Sequence, residues 1–238
     1  MELSKRLKSV AQLVTGTKAA ADVGCDHGYV SIYLIRQQIA EHVIAMDVRE
    51  GPLARARQNV EREGLTAYIQ TRLSDGLKEL SGGEAETVIC AGMGGRLIVR
   101  ILSEGGIREK GIRQLVLQPQ SEIAFVRHAL YEHGFVICEE NMVCEDGKYY
   151  QMMRAVVNDG SETMRTALEQ GLTRAQEAYG PCLLQSRNEV LKRFLLLERE
   201  KYRDILKQVE AVNPDKTGEL KQKCLLIEEA LAGYTDEV

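Results

Sequence analysis

The residues with the clearest chemical meaning are the glycines and aspartates between positions 22 and 28, in the run Asp-Val-Gly-Cys-Asp-His-Gly. An apolar segment leads into Asp22, and Gly24 and Gly28 permit a tight turn whose backbone can come close to a ligand. Asp26 stands where a dinucleotide-binding turn has a glycine, and its charge would repel a pyrophosphate. The same charge favours a cationic ligand. The turn therefore predicts a nucleoside-binding site whose ligand carries positive charge instead of a pyrophosphate.

Two further acidic segments follow apolar runs. Asp47 ends the run before Val48, and Ser74-Asp75-Gly76 follows the next predicted strand. Because the carboxyl ends of parallel strands share one edge, these acids should face one crevice. Asp47 is suited to ribose hydroxyls and Asp75 to an adenine amino group. A nucleoside with positive charges, S-adenosylmethionine, fits this set better than NAD(P).

A glycine-rich segment, Gly92-Met93-Gly94-Gly95, ends the fourth predicted strand and lets another chain approach closely. It lacks the (Asp/Asn)-Pro-Pro-(Tyr/Phe) sequence typical of enzymes that methylate an exocyclic amine. A ring nitrogen is therefore the favoured acceptor if the target is a base. After the fifth strand, the amides of Gln118 and Gln120 either face the same crevice or belong to an ordinary turn.

These segments require a sheet that brings their ends together. Short apolar runs alternate with helical patterns, which predicts a mainly parallel sheet with an antiparallel hairpin at its edge. The predicted strands are 20–23, 42–48, 68–73, 87–91, 115–117, 135–143 and 149–158. The predicted helices are 2–15, 29–38, 51–63, 95–104 and 121–133.

The pattern changes after Gly160, and only helical stripes follow. One stripe joins Leu168 to Tyr179 and ends at Gly180-Pro181, and longer helices are predicted over 184–212 and 216–232. Residues 1–160 are predicted to form the catalytic domain, and 161–238 a coiled-coil-like helical domain.

Composition limits the alternatives. The chain has 238 residues, a net charge of −4, six cysteines and four histidines. No apolar run is long enough to span a bilayer, and no signal peptide is recognisable. The cysteines and histidines show no metal-binding spacing, and reduced thiols fit a cytoplasmic protein. An acidic chain can still have a local basic face around Lys5, Arg6 and Lys8.

Together these residues resemble a class I S-adenosylmethionine-dependent methyltransferase. The chain is more narrowly similar to the bacterial tRNA (adenine-22-N1)-methyltransferase family, TrmK. The segments that carry the resemblance are Leu3–Leu7, Asp22–Tyr29, Ser74–Leu77, Ala91–Gly95, Gln118–Gln120 and Glu145–Tyr150. The resemblance implies a Rossmann-like α/β fold with a seven-stranded sheet, S-adenosyl-L-methionine as cofactor, and tRNA as substrate.

The chemistry of the residues and the resemblance together predict the site residues. Those expected to bind the cofactor are Asp22, Gly24, Asp26, His27, Gly28, Asp47, Val48, Ser74, Asp75, Gly76, Gly92, Met93 and Gly94. Those expected to take part in catalysis are Asp26, His27, Gly92 and Met93. Those expected to contact tRNA are Lys5, Arg6, Lys8, Arg96 and Lys148. No metal is expected, and the enzyme is expected to act as a monomer.

Two other functions fit the sequence. A small-molecule methyltransferase would use a closed pocket near Gln118 and would work without RNA. A non-catalytic cofactor-binding module would bind a protein through its helical arm and would transfer no methyl group. An NAD(P)-dependent reductase is disfavoured by Asp26.

Overall fold

The computed structural model describes residues 3–212 and 217–234. The chain forms two compact units, Met1–Gln170 and Gly171–Val238. The domain boundary predicted after residue 160 remains a prediction. Helix α6 (Glu162–Gln170) lies in the first unit and contacts its sheet.

The first unit contains the predicted seven strands. They are β1 (Thr17–Val23), β2 (Ala40–Asp47), β3 (Ile69–Leu73), β4 (Thr87–Gly94), β5 (Gln114–Ser121), β6 (Phe135–Glu145) and β7 (Lys148–Val157). Five helices precede α6 in this unit. They are α1 (Lys5–Leu13), α2 (Tyr29–Arg36), α3 (Glu50–Arg62), α4 (Gly95–Glu104) and α5 (Ile123–Glu132).

The sheet has the order β3-β2-β1-β4-β5-β7-β6. Strands β1 to β5 pair in parallel, whereas β7 pairs antiparallel with both β5 and β6. Asp146 and Gly147 connect β6 to β7 and both have positive φ, as a two-residue hairpin turn requires. The predicted mainly parallel sheet with an antiparallel hairpin at its edge is confirmed.

The ends of β4 and β5 differ from the sequence prediction. Both strands continue through segments expected to be loops, and β4 reaches Gly94 while β5 reaches Ser121. Register shifts leave one extra residue in each strand, Gly92 in β4 and Gln120 in β5. Such bulges bend a strand and redirect its side chains. The two strands thereby remain paired, with two bulges, up to the predicted crevice.

Helix α1 covers the β6–β7 side of the first unit. Its start is fixed by Ser4 Oγ, which accepts from Leu7 N at 3.2 Å, and by Glu145, whose Oε1 accepts from Lys5 N at 2.5 Å. Val10, Ala11 and Leu13 are buried in the core beneath it. This burial leaves Lys5 and Lys8 exposed on the opposite face.

The start of α4 tolerates no side chain larger than that of glycine. A Cβ on Gly95 would lie 2.5 Å from Ser121 O and 2.9 Å from Glu122 O, both of them backbone atoms. We expect Gly95→Ala to lower the free energy of unfolding by about 1–3 kcal/mol, measured by urea denaturation, because the end of β5 must shift. Gly51→Ala is the matched control, since Gly51 also lies at a helix start and has no atom within 4 Å of its Cβ position. Equal stability changes in the two variants would contradict this account of Gly95.

The second unit is helical, as predicted. It comprises α7 (Arg174–Tyr179), α8 (Pro181–Gln185), α9 (Glu189–Val212) and α10 (Gly218–Ala232), with α9 and α10 packed together. The prediction of one stripe from Leu168 to Tyr179 was wrong. Gly171 has φ +64°, and Thr173 starts a new helix with a capping box to Gln176. The predicted start of the last helix at residue 216 lies outside the described residues.

Within residues 3–212 and 217–234, no helix is long and apolar enough to span a membrane.

Candidate active site

A cavity of about 580 Å³ lies at the carboxyl edge of the parallel strands, within the first unit. Its volume is in the usual range for small-molecule sites. The predicted cofactor residues that line it are Asp22, Gly24, Asp26, His27, Asp47, Val48, Ser74, Asp75, Gly76, Gly92 and Met93. Gly28 and Gly94 are not among the lining residues: a Cβ on Gly28 would lie 3.2 Å from Ala56 Cβ, and one on Gly94 would lie 3.4 Å from Ser121 Oγ.

The turn after β1 is held by its own backbone. Gly24 N and Cys25 N both donate to Met46 O, at 2.8 and 2.9 Å, and Gly28 N donates to Cys25 O at 2.7 Å. Gly24 has φ +69°, and a Cβ there would lie 2.2 Å from Met93 Cε. The side chain of Met93 therefore lies directly over Gly24. This contact joins the turn to the end of β4.

Asp26 projects from this turn in a left-handed conformation, with φ +47°. Its side chain is 60% exposed, and Oδ1 lies 3.4 Å from Arg55 Nη2. The ring of the adjacent His27 stacks on Tyr29 at a centroid distance of 5.2 Å. The carboxylate thus lies at the cavity with two loosely held partners, Arg55 and the His27 ring, whose Nε2 lies 3.6 Å from Oδ2.

Asp22 and Asp47 are buried carboxylates at the ends of neighbouring strands β1 and β2. Asp22 Oδ2 accepts from Ser31 Oγ at 2.6 Å, and Asp47 Oδ1 accepts from Arg49 N at 2.9 Å. Burial, together with the nearby charge of Asp47, raises the pKa of Asp22 to about 6, although the Ser31 hydrogen bonds oppose the shift. A cation bound in this cavity would relieve the cost of the buried charge.

The raised pKa of Asp22 makes stability depend on pH in a defined direction. Below about pH 3 the group is protonated in both folded and unfolded chains, and its contribution is fully present. As pH rises to about 6, only the unfolded chain releases the proton, so the free energy of unfolding falls. A rise of the Asp22 pKa from 3.8 to about 6 corresponds to a loss of about 3 kcal/mol in the free energy of unfolding.

We expect Asp22→Asn to remove this dependence. The difference in unfolding free energy between variant and wild type should move by about 3 kcal/mol in favour of the variant between pH 3 and pH 7, in urea titrations without ligand. A difference that is constant over this range would contradict the raised pKa.

Asp75 is held by two cations. Lys78 Nζ lies 2.6 Å from Oδ2 and Arg100 Nη2 lies 3.0 Å from Oδ1, and the Lys78 hydrogen bond is the largest cause that lowers the pKa of Asp75. Its neighbour Ser74 is buried and bonds within the loop, through Oγ to Gly76 O. Asp75 therefore lines the predicted adenine end as a charged, already paired carboxylate.

The opposite end of the cavity is formed by the bulged strands and α1. Arg6 lines the cavity and its Nη1 donates to Oε1 of the fully buried Gln118 at 2.6 Å. The Arg6 guanidinium lies 5.5 Å from the centre of the Tyr150 ring. A Cβ on Gly92 would lie 3.5 Å from Arg6 Nη1 and 3.6 Å from Gln120 Nε2.

The residues predicted to contact tRNA therefore fall into two groups, one in the cavity wall and one outside it. Arg6 lies in the cavity wall, whereas Lys5, Lys8 and Lys148 are exposed and are not lining residues. Arg96 is 83% exposed and pairs with Glu122.

Sequence reasoning missed two arginines that line the cavity, Arg49 and Arg100. Arg49 follows Asp47 by two residues, and Arg100 lies one helical turn after Arg96. These spacings place both arginines near segments that were predicted to border the crevice.

Comparison with known proteins gives a family and two useful structures. Residues 3–153 match the family model of a methyltransferase domain. The chain is 32% identical to the tRNA (adenine(22)-N(1))-methyltransferase of Bacillus subtilis over 97% of this chain and 98% of that protein. The crystal structure of the B. subtilis m1A22 tRNA methyltransferase TrmK superposes with a TM-score of 0.83 and 31% identity, over 97% of this chain and 99% of that chain.

A second solved structure contains a ligand. Streptococcus pneumoniae Sp1610, in complex with S-adenosyl-L-methionine, matches with a TM-score of 0.82 and 32% identity, over 97% of this chain and 100% of that chain.

Proposed function

Because the chain belongs to the bacterial tRNA (adenine-22-N1)-methyltransferase family, TrmK, we propose that its carboxyl-edge cavity binds the cofactor and that its basic face holds tRNA. The protein is an S-adenosyl-L-methionine-dependent methyltransferase that transfers a methyl group to N1 of adenine 22 in tRNA. The observation that carries the proposal is the row of carboxylates along one edge of the sheet, at Asp22, Asp26, Asp47 and Asp75.

The residues of the cavity fit this cofactor. Asp47 uses one carboxylate oxygen on Arg49 N and keeps the other for ribose hydroxyls. Val48 lines the cavity with its apolar side chain 59% exposed, which suits the face of an adenine ring. Ser74, Asp75 and Gly76 border the same end. Gly24 brings the turn against Met93, whose side chain occupies the space that a Cβ on Gly24 would need.

When bound, S-adenosyl-L-methionine supplies the methyl group as an electrophile on its positively charged sulfur. The acceptor N1 of neutral adenine carries a lone pair, so the protein needs no general base. Its task is to hold N1 in line with the methyl group at about 3 Å, and such positioning contributes several kcal/mol.

The methylated adenine ring becomes cationic, so a carboxylate near the acceptor stabilises the developing charge. Asp26 is our candidate for this role because it is exposed at the cavity and its partner Arg55 is 3.4 Å away. His27, stacked on Tyr29, shapes the adjacent wall. Gly92 and Met93 form the facing side, where β4 has a bulge.

Adenine 22 must leave its stack in folded tRNA to reach this cavity, at a cost of a few kcal/mol. We propose that phosphate contacts from Lys5, Lys8, Arg96 and Lys148 offset this cost. These residues lie on α1, α4 and the start of β7, and all are exposed. They give a chain of net charge −4 a local basic face.

The described cavity is lined by one unit of one chain, which supports an enzyme that is active as a monomer. A tRNA substrate supports a cytoplasmic location.

The test of the function is methyl transfer from labelled S-adenosyl-L-methionine to unmodified total tRNA, followed by nucleoside analysis. We expect label in N1-methyladenosine and none without RNA. Transfer to a small molecule without RNA would favour a small-molecule methyltransferase. Cofactor binding without transfer to any tRNA would favour a non-catalytic module.

A further inference from the structure

The cavity has a graded charge along the edge of the sheet. In the sheet order, the lining acids lie at the carboxyl ends of β3 (Asp75), β2 (Asp47) and β1 (Asp22 and Asp26), while β4 and β5 contribute Gly92 and Gln120. Arg6 lies at the end of the cavity formed by β4 and β5, where it contacts Gln118 of β5 and Tyr150 of β7. One end of the cavity is therefore rich in carboxylates, and the other has a guanidinium.

The proposed cofactor has a matching order of groups. Its adenine and ribose belong near Asp75 and Asp47, so its methionine part extends over β1 towards β4. That part carries a sulfonium, an α-ammonium and an α-carboxylate. The first two suit Asp22 and Asp26, but the carboxylate would be repelled by them and needs a donor of opposite charge.

Part of the backbone of the glycine turn is already engaged in hydrogen bonds. The N–H groups of Gly24, Cys25 and Gly28 are already donated to carbonyl oxygens of the chain. Two other arginines line the cavity, but Arg100 is paired with Asp75 at the adenine end, and Arg49 follows Asp47 at the ribose end. Arg6 is the lining cation at the methionine end.

We propose that Arg6 binds the α-carboxylate of the cofactor and is a cofactor-positioning residue, in place of the tRNA contact expected from the sequence. This inference rests on the proposed function. Gln118 Oε1 holds one of the five guanidinium N–H donors at 2.6 Å, and the Tyr150 ring supports its face. The remaining donors form a fork that suits a carboxylate.

The test compares two ligands that differ only in this carboxylate, S-adenosylmethionine and decarboxylated S-adenosylmethionine, by calorimetry on the ligand-free protein. We expect Arg6→Ala to raise the Kd for S-adenosylmethionine about 10- to 100-fold, equal to about 1.4–2.8 kcal/mol. The Kd for the decarboxylated ligand should change less than about threefold, which also shows that the site remains folded. Arg6→Lys should recover part of the loss, because charge is kept and the fork is lost.

Lys18→Ala is the matched control, since Lys18 is an exposed cation outside both the cavity and the proposed tRNA face. It should leave both Kd values unchanged. The inference would be overturned if Arg6→Ala lost the same affinity for both ligands, or lost affinity for neither. A rise only in the KM for tRNA would overturn it too, and would mean that Arg6 contacts tRNA. A wild-type protein that binds neither ligand would instead refute the proposed function.

Discussion

Asp26→Asn is expected to lower kcat for tRNA methylation by about a hundredfold, while the Kd for S-adenosylmethionine changes much less. The reason is that the negative charge of Asp26 matters most when the adenine ring becomes cationic, and one preorganised electrostatic group typically contributes 10²–10³ in rate. Asparagine keeps the size of the side chain and tolerates the left-handed backbone at φ +47°. Single-turnover methyl transfer with saturating cofactor measures this step.

Arg55→Ala tests whether activity depends on the charge of Asp26 or on its ion pair, because Arg55 is the cation 3.4 Å from Asp26. Its removal leaves the carboxylate in place, and kcat should be retained or should rise. If Arg55→Ala loses as much activity as Asp26→Asn, the ion pair between Arg55 and Asp26 stabilises the structure of the site, and the proposal that Asp26 is catalytic is wrong.

The combined replacement of Lys5, Lys8 and Lys148 by alanine is expected to weaken tRNA binding on the order of a hundredfold at moderate salt. Each lost phosphate contact reduces counterion release, so the slope of log K against log salt should fall by roughly three for the three lysines. All three side chains are exposed, and the Lys5 backbone bond to Glu145 survives the change. Filter binding across a salt series gives both quantities.

Lys18→Ala serves as the control, because Lys18 is an exposed lysine at the amino end of β1, on the opposite edge of the sheet. It should leave the tRNA affinity and the salt slope nearly unchanged. Equal effects of Lys18 and of one basic-face lysine would mean that the binding is non-specific, and a loss of cofactor affinity in the triple variant would mean that these residues serve the fold.

The sequence predicted the sheet because its strands are short apolar runs with clear boundaries, and the order of acids at their ends followed from the parallel topology. Asp22, Asp26, Asp47 and Asp75 line one cavity, as expected. The predicted loops at Gly92 and Gln120 are instead bulges in paired strands, because local glycine content does not show whether the backbone continues to pair.

Other features depend on contacts between distant segments. Arg6 and Gln118 are 112 residues apart, and only the packing of α1 on the antiparallel hairpin brings them together. The pairing of Asp75 with Arg100 depends in the same way on the direction of α4. The break at Gly171, in contrast, had a signal in the sequence, since Thr173 and Gln176 have the spacing of a capping box.

The most direct test uses two tRNA transcripts that differ only at position 22, one with adenine and one with guanine. With labelled S-adenosyl-L-methionine, we expect the adenine transcript to acquire one N1-methyladenosine at position 22 and the guanine transcript to acquire no label. Equal labelling of both transcripts, or label on the exocyclic amine of adenine, would contradict this expectation.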